Sequence, residues 1–248
     1  MSKTRLKDVD TRAPRQLDKE KTKKDIEEMV VALDDLQNLL YAESIHSLLV
    51  IIQGMDASGK DGAIRNVFGK LNPQGVQVQS FKVPTDEEAA HDFLWRIHQH
   101  TPKKGMIQIF NRSHYEDILI TRVHKLIDDD TAKKRMEAIN DFEKLLQQHN
   151  HTTVLKFYLH VSPDEQLKRL NERIRNPKKQ WKYNETDFAE SRLWDIYMKM
   201  YEDCFEHCSD VPWTIVPADQ NWYKEYVIAT KILETLKGFD MKYPGIKK

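Results

Sequence analysis

The sequence predicts an α/β fold in which a parallel sheet is wound with helices and carries a phosphate-binding loop on its first strand. Three observations lead there. Apolar runs alternate with helical stretches along the chain, and runs such as Leu48 to Ile52 are nearly continuous, as strands covered on both faces are. The Leu48 run enters the glycine-rich turn Gly54-Met55-Asp56-Ala57-Ser58-Gly59-Lys60-Asp61-Gly62, and a helix-like segment from Ala63 to Leu71 comes next. The spacing G-x-x-x-x-G-K, met by Gly54, Gly59 and Lys60 in the order strand, turn, helix start, is that of a P-loop. Backbone N–H groups across Gly54, Ala57, Ser58 and Gly59, with the positive end of the helix, face an anion there, and Lys60 adds a point charge.

The elements run in order from the N-terminus. Residues Met1 to about Leu17 mix Lys, Arg and Asp without periodicity, interrupted by Pro14, and read as a solvated polar tail. Ile26, Met29, Val30, Leu33, Leu36, Leu39 and Leu40 recur at helical spacing, which predicts a long N-terminal helix from about Lys23 to Ala42 laid against the core. Strands are expected at 47–53, 76–83, 106–111, 154–161 and 213–217. Helices are expected at 60–72, 87–100, 115–125, 131–149, 163–175, 187–207 and 221–237. Ligands of such sheets bind at the carboxyl ends of the strands, where the P-loop lies. With no internal repeat or low-complexity linker, residues 1–248 read as a single domain.

Composition narrows the function classes. The chain of 248 residues is 31% charged with a formal net charge of zero, so global charge points to no polyanionic partner such as nucleic acid, and any basic surface is local. Cys204 and Cys208 lie four apart beside His207, but no second cluster completes a metal site, and they read as reduced packing thiols. No apolar run approaches ~18 residues and no hydrophobic signal core is present, which predicts a soluble, cytoplasmic protein that engages no membrane.

Two acids and an arginine stand out near the loop. Asp56, inside an anion-binding turn, would repel phosphate unless a cation neutralises it. The simplest resolution is a Mg²⁺ held by Asp56 directly or through water, replacing the Ser or Thr that usually comes after the P-loop lysine, where this chain has Asp61. Asp61 reads equally as part of the phosphate site or as an outward-facing helix N-terminal charge. The third strand ends Phe110-Asn111-Arg112-Ser113-His114-Tyr115-Glu116-Asp117. Arg112 projects towards the phosphates, and Asp117 is the natural second acid for Mg²⁺. The plainer alternative is a local Arg112–Asp117 ion pair, with Glu116 as a helix N-terminal acid.

The segment from Lys168 to Lys182 carries seven cationic side chains against one acid, Glu172. A charge run is usually a solvated helix face. Here it comes after a strand and a helix, is broken by Pro177, and leads into an amphipathic helix. That is where small P-loop kinases place an arginine-rich lid which excludes water. Trp181 anchors the lid, hinges it, or simply packs.

The motifs G-M-D-A-S-G-K-D-G (54–62), S-F-K-V-P-T (80–85), H-D-F-L-W-R (91–96), F-N-R-S-H-Y-E-D (110–117) and N-P-K-K-Q-W-K (176–182) resemble those of the polyphosphate kinase type 2 family, over about residues 20–237. The resemblance implies a P-loop kinase-like three-layer fold with a central parallel five-stranded sheet and a helical lid near 174–190. It implies Mg²⁺-assisted transfer of a terminal phosphoryl between inorganic polyphosphate and a nucleotide, AMP, ADP or ATP, and a homo-oligomer. Asp56 and Lys60 match the family's Walker A acid and lysine; Arg112 and Asp117 match its Walker B arginine and metal-binding acid; Arg173 matches a lid arginine. Many members carry Asp where this chain has Asn111, and Asn111 with Glu116 resembles the subgroup that accepts both nucleoside mono- and diphosphates, which places both at the nucleotide. A polyphosphate chain is longer than one triphosphate, so Arg169, Lys179 and Lys182 are expected to extend the phosphate contacts. An ATP-dependent nucleoside or nucleotide kinase and a non-catalytic polyanion-binding protein are the rival readings; the first should carry Ser or Thr at position 61, and the second leaves Asp56 and Asp117 unexplained.

Overall fold

The computed structural model describes residues 4–246. Five parallel strands form one sheet in the order β2-β3-β1-β4-β5: β1 (Ser47–Gln53), β2 (Val76–Ser80), β3 (Ile107–Asn111), β4 (Thr152–His160) and β5 (Trp213–Pro217). The central β1 is buried along its whole length, which is why its sequence does not alternate. The register sets the site. Ile52 lies opposite Asn111 on β3 and Phe157 on β4, so the turn that leaves β1 and the turn that leaves β3 emerge side by side.

Helices cover both faces. On one, α1 (Lys19–Glu43) packs on α10 (Asn221–Lys237), which also meets α2 (Lys60–Phe68). Val30, Leu33, Gln37 and Leu40 form the buried stripe of α1, and Asp18 caps its start by accepting from Lys21 N. The other face carries α6 (Asp129–Asn150) and α9 (Trp194–His207): Lys156 of β4 reaches Glu143 of α6, and Tyr158 reaches Met198 of α9. Lys156 and Tyr158, two residues apart, share this face, while the residues between them point to the other layer, giving the three-layer P-loop kinase-like arrangement. Cys204 and Cys208 are both buried free thiols, as packing residues are. No helix among the described residues is long and apolar enough to cross a membrane.

Several predicted elements are shorter or broken. The strand expected at 76–83 ends at Ser80, and the helix expected at 60–72 stops at Phe68, before Gly69. The helix expected at 87–100 is two pieces, α3 (Asp86–Ala90), started by a Thr85–Glu88 capping box, and α4 (Trp95–His98), because Asp92 interrupts the run by accepting from the Leu94 N–H. The helix expected at 115–125 is a 3₁₀ turn, His114–Asp117, followed by α5 (Ile120–Val123), and that expected at 187–207 divides into α8 (Thr186–Ser191) and α9. By contrast α7 (Pro163–Arg175) matches its expected limits, with Ser162 as N-cap and Pro163 in its first turn.

The tail is the larger correction. Met1 to Lys3 lie outside the described residues, but the chain from Thr4 onward is not a solvated arm. Leu6 is fully buried; its N–H donates to Glu202 Oε1 at 2.7 Å and its carbonyl lies 3.0 Å from His160 Nε2. Thr11 and Ala13 then bond to Asp219 and Gln220. One apolar residue without periodicity leaves no trace in a pattern search, yet it anchors this segment across the ends of β4 and β5.

Candidate active site

The P-loop is built from its carbonyls outward. Gly54 and Gly59 both have positive φ, where a side chain is strained. A Cβ on Gly59 would also displace Lys224 Nζ, 2.2 Å from its position. Each carbonyl from Gly54 to Gly59 accepts from a side chain. Lys60 Nζ takes those of Gly54 and Met55 at 2.7 and 3.1 Å, Gln166 that of Asp56 at 3.0 Å, Arg169 those of Ala57 and Ser58 at 3.1 and 3.0 Å, and Lys224 that of Gly59 at 3.0 Å. Its acceptors are satisfied by these cations and one amide; the Ser58 N–H, expected to face phosphate, is instead spent on the Met55 carbonyl at 3.1 Å, which leaves the other N–H groups of the loop to offer. Gly59, the N-cap of α2, has no side chain to satisfy the first-turn N–H groups of that helix. Ser58 Oγ is buried with no protein partner, another free polar atom in the loop.

Arg169 therefore does not face phosphate as expected. Its Nε donates to Glu165, Nη1 to Ala57 and Ser58, and Nη2 to Ala218 and Asp219, which commits all its N–H groups. It fastens the P-loop to the segment after β5. Arg169→Ala should cost ~2–3 kcal/mol and lower the melting temperature by about 5–10 °C. A calorimetric shift under about 2 °C would mean that the loop holds itself.

Lys60 is buried, and burial together with the like charge of Arg112 lowers its pKa to about 8, against the partial offset of Asp56, Glu116 and Asp61. Arg112, at the tip of β3, adopts a left-handed conformation at φ 65°, as does Ala57 at φ 60°, a conformation that costs ~1–2 kcal/mol for a non-glycine residue. From there its guanidinium forms a close ion pair with Asp56 Oδ1 and a second with Glu116 Oε2 at 3.2 Å. Burial works against that charge, but Glu116 and Asp56 outweigh it, so Arg112 stays a cation.

The local Arg112–Asp117 pair does not form. Asp117 turns to Arg96, 3.5 Å away and itself buried, while its backbone carbonyl accepts from Arg135 at 2.7 Å. Burial raises the Asp117 pKa despite these cations. Asp56 and Asp117, the two acids expected at Mg²⁺, thus have different arginine partners. Glu116 is not simply a helix N-terminal acid either, since it belongs to the Arg112 cluster.

The lid, from the end of α7 through a 3₁₀ turn at Gln180–Lys182 to α8, rests on the loop. Lys182 Nζ donates to Asp61 Oδ2 at 2.6 Å, and Asn111 Nδ2 donates to Asp61 Oδ1 at 3.0 Å. Burial opposes ionisation of Asp61, yet Lys182 and Asn111 hold its carboxyl below the usual range. Asp61 is neither a bare outward charge nor free for phosphate: it latches the lid to the first turn of α2. Asp61→Asn should raise the rate of tryptic cleavage at 178–182 roughly two- to fivefold, the value of a partly exposed ion pair. Unchanged cleavage would show that the latch is idle.

Arg173 forms a close ion pair with Asp187 of α8 and donates to the Lys182 carbonyl at 3.3 Å. Burial and the negative charge of Asp56 raise the Asp187 pKa, which puts this pair in the field of the Asp56–Arg112 cluster. Lys179 is spent on Glu172 at 2.8 Å, so it is tied along the helix rather than extended towards a donor. Trp181 is 77% exposed and anchors nothing in the core. Sequence reasoning missed Gln166, Lys224 and Asp187. The one available signal was a lysine, Lys224, on the apolar stripe of α10, where a cation stays only if something satisfies it.

A glycine-bounded loop whose carbonyls are all satisfied from side chains, a buried lysine beneath it and an arginine bridging two acids at its mouth define a P-loop phosphoryl-transfer protein. Comparisons with known proteins refine the class. The chain belongs to the polyphosphate kinase 2 family, whose pattern it matches over residues 16–244, as its motifs implied. It is 50% identical over 214 residues to the AMP/ADP-polyphosphate phosphotransferase of Meiothermus ruber, covering 86% of this chain and 80% of that one. It is 44% identical over 229 residues to the ADP-polyphosphate phosphotransferase of Rhodopseudomonas palustris, covering 87% and 79%. The crystal structure of polyphosphate kinase 2 from Arthrobacter aurescens superposes with a TM-score of 0.96 at 41% identity, over 100% of this chain and 90% of that one.

Proposed function

We propose that the protein transfers a terminal phosphoryl group reversibly between inorganic polyphosphate and adenine nucleotides, forming ADP from AMP and ATP from ADP. The observation that carries this reading is the Asp56–Arg112–Glu116 cluster at the mouth of the P-loop, in a chain of this family. In-line transfer needs alignment and charge neutralisation more than covalent chemistry. Lys60, the P-loop amides at Ala57 and Gly59, the unpartnered Ser58 hydroxyl, Arg112 and Arg173 hold the donor phosphates. Lys182, once released from Asp61, lengthens the contact along the chain. Asn111 and Glu116 face the nucleotide. The attacking nucleotide oxygen is already ionised near neutral pH, since phosphate carries a pKa near ~6, so no strong general base is required.

Mg²⁺ suits the acids present. It takes one or two carboxylates and completes its shell with phosphate and water; among the described residues no cluster of three or more His, Cys, Asp or Glu could hold a metal. Asp56 and Asp117 are the two that would hold it, with Asp56 exchanging Arg112 for the ion. When bound, it neutralises phosphate charge and aligns the reacting oxygens. We read the chain as one domain, with 174–190 as its lid, acting in the cytoplasm as a dimer or tetramer; chromatography with light scattering tests the assembly.

The direct test incubates the protein and Mg²⁺ with polyphosphate and either AMP or ADP, resolving products chromatographically, with ATP as the alternative donor in a parallel arm. ADP and ATP formed only with polyphosphate support the reading. Transfer from ATP alone, or no transfer, overturns it.

A further inference from the structure

One charged residue interrupts the apolar run of β4, and the phosphate cradle does not use it. Lys156 is fully buried, and its ammonium donates to Tyr115 Oη at 2.7 Å, Glu143 Oε2 at 2.8 Å and the Cys208 carbonyl at 2.9 Å, so its three N–H groups are spent. Glu143 of α6, equally buried, accepts from Tyr115 Oη at 2.8 Å through its other oxygen, and His114 Nε2 stands 3.5 Å from that oxygen. The Tyr115 and Trp213 rings lie 5.2 and 5.0 Å from the ammonium. Burial opposes ionisation of Glu143, yet His114 and Lys156 hold its carboxyl below the usual range.

A buried ion pair of this kind is a weak stabiliser, because well-packed apolar residues in its place often leave a fold as stable or more so. What it touches suggests a different use. His114 and Tyr115 belong to the turn that also carries Arg112, Glu116 and Asp117, and that turn begins at a left-handed residue. Its residues divide between two environments. His114 and Tyr115 are wholly buried, while Arg112 meets both Asp56 and Glu116 at the site.

We propose that the buried Tyr115–Glu143–Lys156 network positions the reaction: it pins the turn after β3 to α6, to β4 and to the end of α9, so that Arg112 and Glu116 arrive in register with the P-loop. The inference rests on the phosphoryl-transfer reading. Tyr115, Glu143 and Lys156 are positioning residues, since each acts through the turn. Ser113 adds a further side-chain tie at the start of the turn, with Gln53 and from the Tyr115 N–H. Displacing a reacting group by ~1 Å costs up to ~10²-fold in rate.

Tyr115→Phe removes one oxygen and keeps the ring. It should melt within about 3 °C of wild type while kcat with ADP falls about fivefold or more and KM for ADP stays within about twofold. The triple variant Tyr115→Phe/Glu143→Leu/Lys156→Met, which leaves none of the three partners orphaned, should be about as stable as wild type and show the same loss in kcat; if it does not fold, Tyr115→Phe decides alone. Wild type run alongside separates the two readings. No polyphosphate-dependent product from wild type refutes the function. An active wild type with a Tyr115→Phe variant losing less than about fivefold in kcat, or losing kcat only in proportion to its unfolded fraction, overturns the positioning role.

Discussion

Arg112→Ala should lower kcat by ~10²–10³ while the protein stays folded, the cost of removing one preorganised charge from a phosphoryl-transfer site. Arg112 is the one cation shared by both acids at the loop's mouth, Asp56 and Glu116. Without it two carboxylates face each other and the incoming phosphate, so repulsion adds to the lost attraction. The fold should survive, because the side chain is 31% exposed and held by polar partners alone. Arg112→Lys should recover little, since an ammonium is a point charge and lacks the planar fork that reaches two carboxylates. Product chromatography with polyphosphate and ADP, alongside a thermal melt, measures both. A folded Arg112→Ala variant within about fivefold of wild type would remove Arg112 from the phosphates.

Lys60→Met should be as damaging to turnover, again ~10²–10³, yet nearly neutral for stability. The reason lies in its pKa of about 8, lowered by burial from 10.5. The charged form is disfavoured in the fold by ~3 kcal/mol, and this cost is present in full below pH 8. Between pH 8 and 10.5 the unfolded chain binds more protons than the folded one, so this lysine makes stability rise with pH across that window. Methionine removes the cost along with the bonds to Gly54 and Met55, leaving a net change within about 2 kcal/mol. The variant should also lack the rise in melting temperature between pH 8 and 10. Function runs the opposite way: kcat/KM of wild type should fall above about pH 8 as the free enzyme's lysine loses its proton. Bound phosphate favours the cation and should move the corresponding fall in kcat to higher pH. A flat kcat/KM profile through pH 9 would refute this role for the lysine's charge.

Much of the fold was legible because its signals are local. The unbroken apolar run of β1 and the glycine spacing after it lie within a dozen residues, and β1 and α7 formed where expected. The long helix α1 was legible from its stripe. The broken helices were less so, because the Asp92 side chain accepts from the Leu94 N–H after α3, a local hydrogen bond that competes with a helical pattern. The N-terminal segment was misread for a different reason: Leu6 is held by Glu202 and His160, partners 154 to 196 residues away.

The site divides in the same way. By itself the sequence determined a parallel α/β sheet with a phosphate loop on its first strand, cations near the loop, and the family. Only the tertiary structure decided which charges meet. The pairing of Ile52 with Asn111 delivers Arg112 to Asp56, and the docked lid gives Arg173 to Asp187 and Lys182 to Asp61. The same packing draws Arg169 and Lys224 beneath the loop and leaves Asp117 with Arg96. Helix and strand patterns are written in spacing along the chain, whereas ion pairs depend on distance in space and on how much water is excluded between the partners.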